Sequence, residues 1–480
     1  MLIDSSILAF FSAATVVVHG LGIAHAAHAV MNVRSSRGAI AWSISLITFP
    51  WLAIPLYWIL GRTKFHGYSE AIRSVYTQHY QFVRQAYMEI AKFQVPVVAK
   101  LEPLQLLAEA CIGIPFTSGN NAKLLINGQQ TYAAMLSAIA SANGYILLQS
   151  YIIVDDKAGN EFKDALIAKA KQGVRVYLIY DEIGSNKISH LYIKSLQKYD
   201  IQVSAFHTTK GRGNRFQLNF RNHRKILVVD GRTAFIGGLN IGDEYLGKNP
   251  RLSPWRDTHM MLQGPTVQSL QGCFLQDWYW ATRQVIDVNW QVQPNWESDY
   301  TALVFPTGPA DKLKACKLFF VNTINQAQTR LWIATPYFVP DDSTLTALKL
   351  AALRGVDVRI ILPNRPDHLL VYLCSFSYYT EMKAMNIQLY RYKRGFMHQK
   401  VILIDEEMAG VGTVNLDNRS FFLNFEVMGF VANSQFVKSV EEMLQADLAA
   451  ALAVDFSDYE RKSFWFKLAV KISSLLKPLL

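Results

Sequence analysis

Apolar residues run almost unbroken from Ile7 to Val30, and again without a charge from Gly38 to Leu60. A helix needs about 20 such residues to cross the hydrocarbon core of a bilayer, and each run is long enough. The link between them, Asn32-Val33-Arg34-Ser35-Ser36-Arg37, is short and basic. The pattern therefore predicts a transmembrane helical hairpin over residues 1–64, with the rest of the chain on the same side as the N-terminus. Ala24-His25-Ala26 resembles a leader cleavage site, but Asp4 precedes the run without Lys or Arg and a second run follows at once, which argues for anchoring spans. His19 lies inside the first span, where a neutral imidazole needs a partner; Ser43, Ser45 and Thr48 of the second span are the candidates.

The period then changes. Residues 65–117 carry apolar positions at helical spacing, interrupted at Pro96, and read as a helical, membrane-proximal connector. Beyond them short apolar strands alternate with helices. Tyr145 to Tyr151 reads as a buried strand, Phe162 to Lys171 as a helix, and Gly173 to Asp181 as turn and strand. Leu331 to Tyr337, Leu345 to Leu353 and Gly355 to Leu362 repeat that order. Alternation of this kind predicts α/β layering. A repeat this long means two domains of one fold, placed at 118–297 and 298–457. Residues 458–480 mix bulky apolar residues with Lys462, Lys467, Lys471 and Lys477, and are expected to form an amphipathic helix suited to an anionic interface.

Composition sharpens the choice of partner. Net charge is +11 in a chain of 480 residues, which suits acidic lipid or nucleic acid. The four cysteines, Cys111, Cys273, Cys316 and Cys374, form no CxxC pair and sit among apolar neighbours, so buried free thiols are expected. Arg34 and Arg37 on one side of the second span, against Arg62, Lys64 and Arg73 on the other, bias the catalytic region slightly toward the cytoplasm.

The chemistry lies in a duplicated motif. His223, Lys225, Asp230, Gly237 and Asn240 recur as His398, Lys400, Asp405, Gly412 and Asn415, every member displaced by 175 residues. In each copy a strand, Ile226 to Asp230 and Val401 to Asp405, is expected to carry the site, and alternation on a strand puts the histidine and lysine of each copy on one face. With no Ser or Cys nucleophile at a special turn, His plus Lys suits a phosphate diester. Lysines and asparagines stabilise the non-bridging oxygens, one neutral histidine attacks phosphorus, and the other acts as acid and base. Each histidine needs an orienting partner. Asp257, 34 residues after His223, and Glu426, 28 after His398, are the candidates. Asp230 and Asp405 belong to the catalytic motif, but each stands at a strand end before a turn and is expected to hold the shape of the site. Lysine beside the histidines would repel a cation, so no metal is expected.

The motif pair resembles the phospholipase D superfamily over residues from about 115 to 455. The blocks Asn222-His223-Arg224-Lys225, Gly237 to Gly242, Trp255 to His259, Thr335 to Asp341 and Asn415 to Ser420, with the preceding hairpin, are similar to the bacterial cardiolipin synthases within it. That resemblance implies two αβα sandwiches facing across a pseudo-twofold axis, with one motif from each at the seam. It implies transfer of a phosphatidyl group from one phosphatidylglycerol to another through a phosphohistidine, most often on the first motif, with glycerol released and no cofactor required. It implies a multi-pass protein of the bacterial inner membrane whose partners are anionic lipids, with no nucleic acid. A hydrolytic phospholipase D and a membrane-tethered nuclease share the phosphodiester chemistry and are the alternatives.

Overall fold

The computed structural model describes residues 5–33, 35–61, 65–209 and 219–480, without the side chains of residues 5–9 and of Phe82. Asp4, Arg34, Arg62 and Lys64, used above for anchoring and orientation, lie outside the described residues. The chain forms two compact units, Met1–Gly67 with Thr208–Phe220, and Tyr68–His207 with Arg221–Leu480.

In the first unit, Ser5–Asn32 is one helix. Its Phe10–Asn32 stretch is the one helix among the described residues long and apolar enough to cross a membrane. Phe10, Val16, Val17 and Leu21 on it are exposed. The second apolar run does not form the single helix expected of it. It breaks into Ser36–Thr48, Pro50–Leu56 and a π turn at Tyr57–Gly61. The break is at Phe49, whose φ of −132° and ψ of 58° leave the helical region; Pro50 has no N–H and its ring bars the residue before it from helix. The pieces pack through Ala26, Ala29, Leu46, Ala53 and Tyr57. Gly22 allows the approach, since a Cβ there would stand 2.3 Å from the Leu46 carbonyl oxygen. His19 does not take the partner expected of it. Its Nδ1 lies 2.9 Å from the Thr15 carbonyl of its own helix, and its ring meets Trp51 edge-on. Ser45 and Thr48 likewise donate to carbonyls one turn back in their own helix, the nearest acceptors for short hydroxyls.

In the second unit the connector forms helices Tyr68–Gln78, Tyr80–Ala91 and Glu102–Ile112. Sixteen strands of the described residues then form one sheet. From its middle, one arm runs Thr117–Ile126, Thr258–Gln263, Thr233–Gly237, Ile226–Val229, Tyr145–Ser150, Arg175–Tyr180 and Gln202–Ala205. The other runs Tyr300–Thr307, Asn424–Ala432, Met408–Gly412, Val401–Ile404, Arg330–Ala334, Asp357–Pro363 and Gln388–Tyr392, with Ala451–Ala453 at the edge. The sense of pairing repeats step for step in the two arms, antiparallel as far as Tyr145–Ser150 and Arg330–Ala334 and parallel over the next two pairs. The arms meet where Thr117–Ile126 pairs with Tyr300–Thr307.

All six residues of Tyr145–Ser150 are buried, as a strand covered on both faces requires. On one face Ile146, Leu148, Val176 and Leu178 share a core with Tyr132, Phe162 and Leu196 of three helices. On the other, Tyr177 meets Trp278 of the helix Thr266–Thr282. All four cysteines are free; Cys273, Cys316 and Cys374 are buried and Cys111 is partly exposed. The helix Phe464–Leu475 turns Val470 and Ser473 inward and leaves Phe464, Trp465, Ile472 and Leu475 exposed.

Candidate active site

Two-residue strands place the histidines. Arg221–Asn222 pairs with the start of Asn424–Ala432, and Phe396–Met397 pairs with Trp255–Arg256. Each link crosses from one arm of the sheet to the other. The His223 N–H donates to the Phe425 carbonyl at 2.9 Å, and the His398 N–H to the Arg256 carbonyl at 2.8 Å. Histidine and lysine therefore do not lie on the strands Ile226–Val229 and Val401–Ile404. They lie on the extended links just before them. Alternation still applies there. His223 and Lys225 face one way, while Arg224 between them turns to Asp277 at 2.8 Å. His398 and Lys400 do the same, with Gln399 turned to Asp447 at 2.7 Å.

The carboxylates pair across the halves. Glu426 accepts from His223 Nδ1 at 2.9 Å, and Asp257 accepts from His398 Nδ1 at 2.9 Å. The acid that follows each motif in sequence thus serves the histidine of the other motif. Sheet register explains this: Gly237 pairs with His259 and Gly412 with Met428, so Asp257 and Glu426 hold the same place, two residues earlier, in their respective arms. Both acids are fully buried. Glu426 also accepts from Ser420 Oγ at 2.9 Å and Asn424 Nδ2 at 3.0 Å. Asp257 accepts from the Thr258 N–H at 2.8 Å and Trp255 Nε1 at 3.2 Å. One visible difference between the motif copies, Gly238 against Thr413, lies beside these acids. A Cβ at Gly238 would stand 2.0 Å from Asp257 Oδ1, whereas Thr413, its counterpart, has its hydroxyl on the Val427 backbone, donating to the carbonyl at 3.2 Å and accepting from the N–H at 2.9 Å.

Burial sets the protonation states. It holds His223 and His398 down to about 4, with Lys225 and Lys400 adding to the effect and the carboxylates opposing it. It holds Lys225 down to about 7 and Lys400 to about 8, against the pull of Glu426 and Asp257. The acids respond the other way. Burial favours their neutral forms, but the imidazole partners and the lysines outweigh it and keep Asp257 and Glu426 below the ordinary carboxylate range. Each histidine feels the charge of both lysines, which brings the two motifs into one electrostatic site. With each Nδ1–H held by a carboxylate, each Nε2 carries a lone pair. The ring of Tyr151 lies 5.0 Å from that of His223 and 5.3 Å from Lys225 Nζ; Trp255 lies 5.2 Å from His398. Lys225 Nζ donates to the His223 carbonyl at 2.8 Å, and Lys400 makes the matching bond to His398.

The remaining motif members divide. Asn240 accepts the Ile152 N–H at 3.1 Å and donates to Tyr245 Oη at 3.1 Å. Asn415 makes no side-chain hydrogen bond among the described residues, and its Oδ1 is buried. Its amide is open to a ligand. Asp230 and Asp405 stay out of the cluster. Asp230 accepts the N–H groups of Asn143, Gly144 and Tyr145 at 2.7–2.8 Å. Asp405 accepts those of Gln328, Thr329 and Arg330 at 2.7–2.9 Å, with Lys100 Nζ at 2.7 Å. Both have positive φ, 54° and 49°, which aspartate tolerates better than most residues. Each locks its own strand to the neighbour that starts beside it.

Asp277 and Asp447 escaped the sequence reading. Asp277 gathers Tyr68, Gln149, Asn222 and Arg224 at 2.7–2.9 Å. Asp447 takes Arg256 through two bonds of 2.7 Å, and Gln399. These buried pairs lie directly behind the two motifs. The signal was present: an acid in each of two helices, displaced by 170 residues, close to the 169 between Asp257 and Glu426.

Comparisons with known proteins agree with this arrangement. A family model described as cardiolipin synthase, PLD-like domain, matches residues 135–278 and 320–448. The chain is 42% identical over 482 residues to cardiolipin synthase A of Pseudomonas fluorescens (strain SBW25), covering 99% of this chain and 98% of that one. It is 42% identical to cardiolipin synthase A of Pseudomonas aeruginosa (strain UCBPP-PA14), covering 96% and 94%. Among solved structures, phosphatidylserine synthase of Haemophilus influenzae Rd KW20 aligns over 78% of this chain and all of its own, with a TM-score of 0.57 at 15% identity, a likeness of fold. A duplicated PLD-like domain matched over more than half of the chain, and relatives matched over nearly all of it, place this protein in the cardiolipin synthase family.

Proposed function

We propose that the chain is a cardiolipin synthase that transfers a phosphatidyl group between two phosphatidylglycerol molecules at one site built by both motifs. The observation that carries this reading is the crossed pairing of His223 with Glu426 and His398 with Asp257 around two shared lysines. Neutral His223 attacks phosphorus through Nε2. The P–O bond to glycerol breaks, and His398, protonated at Nε2 once the anionic diester is bound, delivers that proton to the leaving oxygen. The hydroxyl of a second phosphatidylglycerol then loses its proton to His398 and attacks phosphorus. The P–N bond breaks and cardiolipin is released.

Lys225, Lys400 and the free amide of Asn415 receive the non-bridging oxygens. Asn240 holds the turn beside Tyr245, and Asp230 and Asp405 hold strand ends. Burial favours the neutral forms of both histidines and holds Lys225 down to about 7. An anionic phosphodiester favours the protonated forms, so the substrate restores the charge that stabilises its own transition state. The residues would satisfy the phosphate with lysine and amide donors, which fits a reaction using no cofactor.

Membrane placement follows from the exposed apolar surface of Ser5–Asn32 and from the broken second run, read as the return arm of a hairpin. The exposed Phe464, Trp465 and Leu475, with four lysines nearby, suit an anionic interface. The inner membrane, with the catalytic halves on the cytoplasmic face, is the location this supports. The two arms, at 118–297 and 298–457, are read as sandwiches about a pseudo-twofold axis. The connector at 65–117 and the terminal segment at 458–480 flank them. A membrane anchor favours transfer over hydrolysis because it holds the lipid alcohol at high local concentration. Mass spectrometry of lipids after incubating the purified chain with phosphatidylglycerol alone tests the reading. Cardiolipin and glycerol are expected; phosphatidic acid without cardiolipin would mean a hydrolase.

A further inference from the structure

An apolar cavity of about 390 Å³ lies between the helices Tyr68–Gln78 and Tyr80–Ala91 on one side and the helix Thr266–Thr282 with the chain after it on the other. Its walls are mainly apolar, with Ile72, Val75, Val83 and Ile90 at helical spacing on the first two helices and Ile286 opposite. Gly272 leaves the floor open, since a Cβ there would meet nothing nearer than Trp290 at 3.8 Å. A space of this size has room for several waters, yet these walls offer water few polar partners. It suits a hydrocarbon chain. The rim is different. Arg84 lines the mouth, is exposed, and has no carboxylate within ion-pair distance among the described residues. Tyr80 and Tyr87 beside it are also exposed, as amphipathic rings are at a lipid headgroup level.

We propose that this cavity is a second phospholipid site, holding one acyl chain of an anionic phospholipid with its phosphate at Arg84. The proposal rests on the phospholipid reading above for its ligand class, but not on the reaction. None of the cavity's residues belongs to the two motifs or their carboxylates. The helix that floors it also carries Asp277, the anchor of Arg224. Occupancy would stiffen the helix behind the first motif.

The test uses phosphatidylglycerol with a photoreactive diazirine on one acyl chain, diluted into phosphatidylcholine vesicles holding the full chain. After illumination, labelled peptides are mapped by mass spectrometry in the unsubstituted protein and in His398→Ala. Label on residues 68–91 and 268–290 is expected in both, whatever becomes of cardiolipin formation. Gly272→Phe, which fills the floor, should lower that label at least tenfold while label in residues 5–61 persists. Arg84→Gln, on the surface, should lower it severalfold for the phosphatidylglycerol probe and leave a neutral diacylglycerol probe unchanged. Label confined to residues 5–61, equal labelling in Gly272→Phe, or equal loss of both probes in Arg84→Gln would overturn the proposal. Loss of cardiolipin synthesis with pocket labelling intact would instead count against the proposed function alone.

Discussion

Replacing Glu426 by Gln perturbs the site at one hydrogen. Glu426 Oε1 accepts from Ser420 and Asn424, at 2.9 and 3.0 Å. A glutamine keeps both bonds only by leaving its carbonyl oxygen there. Its NH2 group then replaces Oε2, 2.9 Å from His223 Nδ1. Oε1 lies 3.1 Å from the same nitrogen, but the nearer NH2 group donates to it, which moves the ring proton to Nε2 and removes the attacking lone pair. Losing a hydrogen bond to a charged group costs about 1.5–3 kcal/mol, up to about 150-fold in rate. A histidine forced into the wrong tautomer costs as much as about 10⁴-fold in a serine-protease triad. The expected loss in kcat therefore lies between about 10² and 10⁴, with the fold intact because shape and packing are unchanged.

Rapid-quench measurement reads it directly. With phosphatidylglycerol labelled in its terminal glycerol, the first turnover releases labelled glycerol as the phosphatidyl adduct forms on the peptide containing His223. Glu426→Gln should slow that burst by the same factor, although Glu426 belongs to the half that carries His398. A burst within threefold of the unsubstituted rate, with the adduct still on His223, would refute the crossed pairing.

Other expectations follow from the same geometry. Lys225→Met removes a buried cation that burial and Lys400 disfavour. It should raise stability by about 1–2 kcal/mol, read as a higher Tm, while abolishing transfer; a protein both less stable and inactive would contradict this. Lys225 and Lys400 are held down to about 7 and 8, and a bound anion raises both. Binding of a non-reacting phosphodiester at pH 8 should therefore take up protons, seen as a dependence of calorimetric heat on buffer ionisation, and less so at pH 6 where both lysines are already charged. Release of protons at pH 8 would reverse the sign and sink the argument. Asp405→Ala strips acceptors from three backbone N–H groups and Lys100, and should cost about 2–4 kcal/mol of stability without shifting the pH profile of kcat. A shifted profile would give that aspartate a part in proton transfer.

Much of the site was legible because chemistry repeats at a constant displacement. Two His-Lys pairs and two later acids could be picked out by residue type and spacing alone. Their partnership could not. It depends on two-residue strands, Arg221–Asn222 and Phe396–Met397, that pair across the halves, and pairs so short leave no periodic trace. The α/β alternation was legible for the same reason that it folds. Short continuous apolar strands such as Tyr145–Ser150 stand beside helices of period 3.6, though that order does not specify that the two repeats share one sheet. In the first unit hydropathy identified the apolar runs but not the break at Phe49, where a single proline outweighs the apolar residues around it. Asp277 and Asp447 were hidden because an acid on a helix looks the same in sequence whether it meets solvent or a buried arginine.

The most direct test of one site made by both halves is the product mixture from His223→Ala and His398→Ala, each given phosphatidylglycerol alone beside the unsubstituted chain. The account predicts cardiolipin and glycerol in equal amounts from the unsubstituted chain and neither from either variant. Cardiolipin formed by both variants would mean two independent sites and would contradict it.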